Sequence, residues 1–215
     1  MPIRKSAVDG ARRERARAHT RRDILLAAAQ VFARRGYAAA TLQELAEAAG
    51  FAAPSLYRYF ESKEELFRSL VELVIREMDG TFEAPVDRAA PLASRLEALL
   101  LAQARVAETL RPAIEVLQHA GPELPGMREL GTPRAGLAYY EGRLLAWLRR
   151  HAAASELRHD PETVARALAG LAFAFRDCEE ERAPEPGRTR LVLDLALNGF
   201  AAPAHRRRGA SHDRP

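Results

Sequence analysis

The sequence predicts an all-α protein in two parts: a small N-terminal helical domain and a larger C-terminal helical one. Three observations carry that prediction. Ala, Leu, Arg and Glu dominate from end to end, and all are strong helix formers. Apolar residues recur at helical spacing through most of the chain, and no stretch alternates with period two as a half-buried strand does. Gly, Pro and Ser/Thr/Asp stand at the edges of these periodic runs, where stops and caps belong. The 215 residues, 47% of them hydrophobic, suffice for a real core.

About nine helices follow in order. Thr20 to Arg35 comes first, with Ile24, Ala28, Val31 and Phe32 on one face and Gly36 as its stop. Thr41-Leu-Gln-Glu44 is a capping box that opens a short helix through Leu42, Leu45, Ala46 and Ala49, closed by Gly50. Pro54 suits the first turn of a third helix carrying Leu56, Tyr57 and Phe60. A second box, Ser62-Lys-Glu-Glu65, opens a longer helix to about Met78. Pro85 to Pro91 reads as a loop. Leu92 to Leu110 is helical, Pro112 breaks it, and another helix covers Ala113 to His119. Gly121 to Gly126 is a loop, and Thr132-Pro133 starts a long helix to about Ala153. Asp160-Pro161 is a cap followed by proline at the first helical position, opening a helix to near Cys178. After the Ala183–Gly187 loop, a leucine-rich helix runs from Arg188 to Phe200.

Charge is unevenly placed. The formal net charge is +4, yet residues 1–22 hold eight Arg/Lys against Asp9 and Glu14, and the tail from Ala204 holds four Arg against Asp213. The body between is mildly acidic. A basic arm beside a folded module is the footprint of a polyanion binder, although a solubilising disordered arm carries the same charge. The single cysteine, Cys178, excludes an internal disulfide framework and a multi-cysteine metal site, and fits a reducing, cytoplasmic setting. No apolar run reaches the length of a membrane span, and the N-terminus lacks the apolar stretch of a signal peptide.

Residues 41–60 are laid out as a helix-turn-helix, two short helices around a tight turn, with long helices on either side to complete a core. The second helix would point its N-terminus and a polar face outward, as insertion into a major groove requires. Ser55, Arg58 and Tyr59 fall on that face, Leu56 and Phe60 fall inward, and Tyr57 and Lys63 lie where a hydroxyl and an ammonium reach flanking phosphates. The plainer readings are packing for the two tyrosines and a solvated charge for Lys63.

The run from Ile24 resembles the DNA-binding domain of the TetR/AcrR family of bacterial transcriptional regulators. The matching features are Phe32-Ala-Arg-Arg-Gly-Tyr37, Thr41, Leu45-Ala46, Ala49-Gly50, Ser55-Leu-Tyr-Arg-Tyr-Phe60 and Lys63-Glu-Glu-Leu66, nearly fifty residues in correct register. The resemblance implies a helix-turn-helix three-helix DNA-binding domain at 20–66, with the motif at about 42–61. It implies a C-terminal ligand-binding and dimerisation domain at 67–203, between a basic arm (1–19) and a basic tail (204–215) read as disordered. It implies phosphate contacts for Thr41, Tyr57 and Lys63, and groove-facing roles for Gln43, Ala53, Pro54, Ser55, Arg58 and Tyr59. Where Ala52 stands, the family often has a capping Ser or Thr; that absence costs the second helix roughly 0.5–2 kcal/mol.

Similarity thins after residue 80, to Arg111-Pro112, Pro122-Glu-Leu-Pro125 and His159-Asp-Pro-Glu162. By that resemblance, a hydrophobic effector would lie among Leu99, Gln103, Val106, Ile114, Gln118, His119, Met127, Tyr140, Trp147 and Phe173; ordinary core packing is the competing reading. The last two helices are candidate dimer elements, through Val164, Ala167, Leu168, Leu171, Phe175, Leu191, Leu195, Leu197 and Phe200. Packing inside one chain is again the alternative.

The expected partners are a palindromic double-stranded DNA operator, a second copy of the chain and a small effector, with no membrane, metal or cofactor. The expected function is a repressor released by its effector. The six histidines show no metal-ligand spacing, and no GxSxG, P-loop or GxGxxG motif occurs, so an enzyme is the weaker alternative. An effector-independent architectural DNA binder is the other.

Overall fold

The computed structural model describes residues 3–120, 133–174, 190–192 and 194–195. Among the described residues it contains α1 (Ile3–Arg35), α2 (Leu42–Ala48), α3 (Ala53–Leu56), α4 (Lys63–Phe82), α5 (Leu92–Thr109), α6 (Arg111–Ala120), α7 (Pro133–His151) and α8 (Pro161–Ala174). A single 3₁₀ turn covers Ala154–Glu156, the described residues of 190–195 are helical, and no strand occurs among the described residues. The fold is all-α, as the sequence predicts.

Most boundaries follow from caps. Thr41 accepts a bond from the Glu44 N–H, and the Glu44 carboxylate accepts one from the Thr41 N–H at 3.0 Å, so the first box is complete. Gly50 at φ +75° closes α2: its N–H reaches Glu47 O at 3.0 Å and the Phe51 N–H reaches Ala46 O at 2.8 Å. Gly36, at φ +77°, does the same for α1, with its N–H on Phe32 O at 2.8 Å. At both positions the left-handed backbone demands glycine. The second box is modified. Ser62 caps the Glu65 N–H, but the Glu65 carboxylate reaches back to the N–H of Glu61 rather than that of Ser62. At α8, Asp160 accepts from the Thr163 N–H at 2.8 Å.

Three differences from the sequence reading stand out. The arm expected to be disordered at 3–19 is a direct continuation of α1, which runs 33 residues. Helix nucleation explains it: 20–35 is held by packing, and extending an existing helix with Ala, Arg and Glu needs no new nucleus. The third helix stops at Leu56, and 57–59 continue as tight turns. Finally, α6 begins at Arg111 and takes Pro112 into its first turn, where a missing N–H costs nothing.

Two apolar cores form. The first gathers α1, α2, α3 and α4 around Ile24, Phe32, Leu45, Leu56, Phe60 and Phe67. Phe32, Tyr37 and Phe67 form a ring cluster with centroids 5.1–5.7 Å apart. This core follows α4 to Val74 and takes in Leu110, Ala113 and Val116. Helix α4 thus passes unbroken across the boundary expected at 66/67, and α6 lies against α1. The second core packs α5, α7 and α8 around Leu96, Leu99, Leu144, Trp147, Leu168 and Ala169, with Phe82 and Val192 joining them.

Candidate nucleic-acid interface

The outward-facing part of the first core is α2, the Gly50 turn and α3. Leu56 and Phe60 are buried and anchor the second element, while Tyr57 stands 55% exposed and Arg58 is exposed beside it. Pro54 is exposed; Ala53 and Ser55 are half-buried. Gln43 is exposed on α2, with its amide donating to Glu47 Oε1 at 3.0 Å, and Thr41 is exposed at the cap. Tyr59 is half-buried, edge-on to Phe51 with centroids 5.8 Å apart. Of the nine expected contacts, five are thus exposed and Ala53, Ser55 and Tyr59 are half-buried, all on α2, α3 and their flanking turns.

Lys63 is placed differently. Its ammonium donates to three backbone carbonyls, Tyr37 O at 2.9 Å, Ala40 O at 3.0 Å and Ala38 O at 3.2 Å, and lies 4.6 Å above the Tyr37 ring. An ammonium has three protons, and all three are used. Lys63 is neither a solvated charge nor an unengaged phosphate donor; it ties the loop between α1 and α2 to the start of α4. The positive charge remains near the corner.

Two arginines brace the head from behind. Arg17 donates to the carbonyl of Arg58 at 3.1 Å. Arg21 donates to the carbonyl of Tyr59, to Glu65 Oε1 at 3.1 Å and to Ser69 Oγ at 2.7 Å, with its guanidinium 4.1 Å from the Phe60 ring centre. α3 has no side-chain cap at Ala52, and these bonds add to buried Leu56 and Phe60 in holding its far end. Sequence reasoning missed both arginines as positioning groups, because their partners lie 38–48 residues away. The carboxylates that support the caps are held below their ordinary range: Glu44 chiefly by the Thr41 N–H, Glu65 chiefly by the Glu61 N–H.

Residues 24–70 match the family model "Bacterial regulatory proteins, tetR family". Over these residues the chain carries a DNA-binding domain of the kind that model describes. It is similar to the HTH-type transcriptional repressor KstR2 of Rhodococcus jostii, at 30% identity over 98 residues, 46% of this chain and 48% of that protein. The chain spans about half the length of the curated relatives it matches first. Its fold is similar to PfmR, a TetR family regulator from Thermus thermophilus, with a TM-score of 0.63, 26% identity, and 83% of this chain and 99% of that one covered. A likeness of fold alone links it to AibR, whose structure holds isovaleryl coenzyme A and operator DNA (TM-score 0.60, 18% identity, 84% and 100% covered).

The expected effector residues that the structure describes do not form one group. Leu99 and Trp147 are buried in the second core, and Tyr140 packs between the rings of Phe82 and Phe173 at 5.9 Å each. The Tyr140 hydroxyl donates to Gln103 Oε1, and burial pushes its pKa upward. Gln103 is 4% exposed, and its Nε2 has no hydrogen-bond partner among the described residues. Val106 and Ile114, in contrast, pack against the first core. The side chains of Gln118 and His119, and all of Met127, lie outside the described residues. An open groove between α4 and α5, of about 530 Å³, is lined by Arg76, Gly80, Thr81, Ala102 and Arg105, and shares only Val106 with the expected set.

The dimer candidates divide too. Leu168 is fully buried in its own chain's core, and Val164 and Leu171 are half-buried beside it. Ala167 faces solvent, Leu191 is 44% exposed and Leu195 is half-buried. Phe175, Leu197 and Phe200 lie outside the described residues, as does Cys178. Among the described residues, no group of His, Cys, Asp or Glu is arranged to hold a metal, and no helix is long and apolar enough to cross a membrane.

Proposed function

We propose that this regulator is a repressor that binds a palindromic operator as a homodimer and is released by a small hydrophobic effector. The observation that carries the proposal is the corner just described: a capped α2, a glycine turn and a buried-anchored α3 presenting Pro54, Tyr57 and Arg58 together with Gln43. In this reading Arg58 pairs with a guanine edge and Gln43 with adenine, each worth ~1–3 kcal/mol of discrimination. Ala53 and Pro54 offer apolar contact, such as to a thymine methyl. Ser55 and Tyr59 face the groove, and Thr41 and Tyr57 hold phosphates. Lys63 contributes through the loop it fixes.

Residues 20–66 read DNA and 67–203 sense and dimerise, with α4 and α6 common to both. The half-exposed Leu191 and the exposed Ala167 favour self-association through the last helices. The effector's place is the second core around Tyr140 and Gln103, where aromatic walls surround one unpaired amide. The DNA partner puts the protein in the cytoplasm.

Selection of bound duplexes from a random pool tests this. The expected result is an enriched inverted repeat with half-site centres ~34–36 Å apart. No enrichment would overturn the reading. A repeat that no small hydrophobe releases would point to an architectural protein.

A further inference from the structure

We propose that the N-terminal third of α1 is a second DNA-contacting element, a rigid basic helix that lies along the phosphates flanking the half-site. The inference rests on the DNA-binding reading above. From Gly10 to His19 every side chain is exposed, and this stretch holds Arg12, Arg13, Arg15 and Arg17 against Glu14. An exposed helix with no apolar face gains nothing from the core, so its charge is its recognisable property. Its position gives that charge a target. Arg17 touches the backbone of Arg58, so the extension leaves the body directly beside the reading head. Helical periodicity places Arg13 on the same side as Arg17 and Arg21, one turn further out. From Arg17 back to Gly10 the helix spans ~10 Å.

The helical state decides how it binds. A helix with its side chains is ~10–12 Å across, whereas the minor groove is ~6 Å wide. The intact arm therefore does not enter that groove, and its guanidinium groups meet phosphate oxygens instead. Such contacts position a protein without reading sequence. The arm thus adds affinity and salt dependence and leaves base preference to α2 and α3.

The test uses the full chain and an operator recovered by selection. Binding is measured over about 50–200 mM KCl for the wild type, the triple variant Arg12→Gln/Arg13→Gln/Arg15→Gln and the corresponding triple Lys variant. The Gln variant keeps good helix formers in place. It is expected to flatten the log–log salt slope by about 2 per bound chain, as two lost phosphate contacts would. The Lys variant is expected to restore the slope, and base preference is expected to stay unchanged in both. Arg149→Gln, on the outer surface of α7, controls for net charge and is expected to leave the slope as it was. A wild type that selects an operator, with an unchanged slope in the Gln variant, overturns the arm proposal alone. A changed base preference beside the half-site overturns it in favour of an extended arm in the minor groove. A wild type that selects no duplex overturns the DNA-binding reading and the arm with it.

Discussion

Replacing Lys63 by Met keeps most of the stem and removes the ammonium, and it separates two roles that sequence alone leaves together. The three carbonyls it serves are at 2.9, 3.0 and 3.2 Å; two of those bonds are partly buried, and the third is exposed. A hydrogen bond from a charged donor is worth ~1.5–3 kcal/mol, but water can partly replace it at an exposed site. Counting about 1 kcal/mol for each partly buried bond and ~0.5–1 for the cation over the Tyr37 ring gives a loss of about 2–3 kcal/mol. For a chain of this length that is a fall in Tm of roughly 5–10 °C. The loop it releases ends at Thr41, the cap of α2, so operator affinity should fall as well, with the salt slope unchanged. Thermal melts and salt titrations of the same variant read both quantities. An unchanged Tm with a slope shallower by about 0.9 would refute the clamp and return Lys63 to a phosphate.

Other expectations can be checked with the same two assays. Ala52→Ser supplies the missing cap of α3, where φ −70° and ψ 142° already suit a capping residue; a gain of about 0.5–1 kcal/mol in melts and somewhat tighter operator binding are expected. Arg21→Met strips partners from the Tyr59 carbonyl, Glu65 and Ser69, and should cost roughly 2–3 kcal/mol while weakening the operator complex. Gln103→Met should cost about 1–2 kcal/mol by leaving the Tyr140 hydroxyl unpartnered, and adding Tyr140→Phe should recover most of it. Glu44, Glu65, Glu83, Glu156 and Asp160 all sit below their ordinary pKa. The unfolded chain then takes up protons first, so melts should show full carboxylate stabilisation above about pH 5. That stabilisation should be lost as the pH falls through the ordinary Glu value of 4.5 and below.

How much the sequence discloses depends on the range of the interaction. The α2 cap and the glycines at 36 and 50 were legible because their partners lie within five residues. Leu56 and Phe60 could be assigned inward from helical spacing alone, and both are buried. The Lys63 clamp was not legible, because its carbonyls lie 23–26 residues back in an irregular loop. Residues 3–19 lack apolar periodicity, which hides a helix that owes its existence to the packed segment after it. On α8, periodicity correctly marks the apolar face of Val164, Leu168 and Leu171, but it cannot say whether that face meets its own chain or another. In the structure Leu168 meets its own chain, while Val164 and Leu171 stay half-buried and Ala167 is exposed.

The split of the expected effector residues carries a mechanical consequence. Val106 and Ile114 belong with the DNA-reading core, while Leu99, Gln103 and Tyr140 belong with the second core, and α5 joins the two. The turn from α5 into α6 is pinned by Leu110, 1% exposed among the side chains of α1 and α4, with Ala113 and Val116 buried just beyond it. A close-packed core does not yield by a fraction of an ångström without opening voids. A ligand that displaces α5 beside Gln103 must therefore either be resisted at Leu110 or move α6 and α1 as a body. Because Arg17 and Arg21 on α1 hold the carbonyls of Arg58 and Tyr59, moving α1 re-aims the reading head. Under the proposed function, effector and operator would compete through these packed helices, with Leu110, Ala113 and Val116 as the coupling between them.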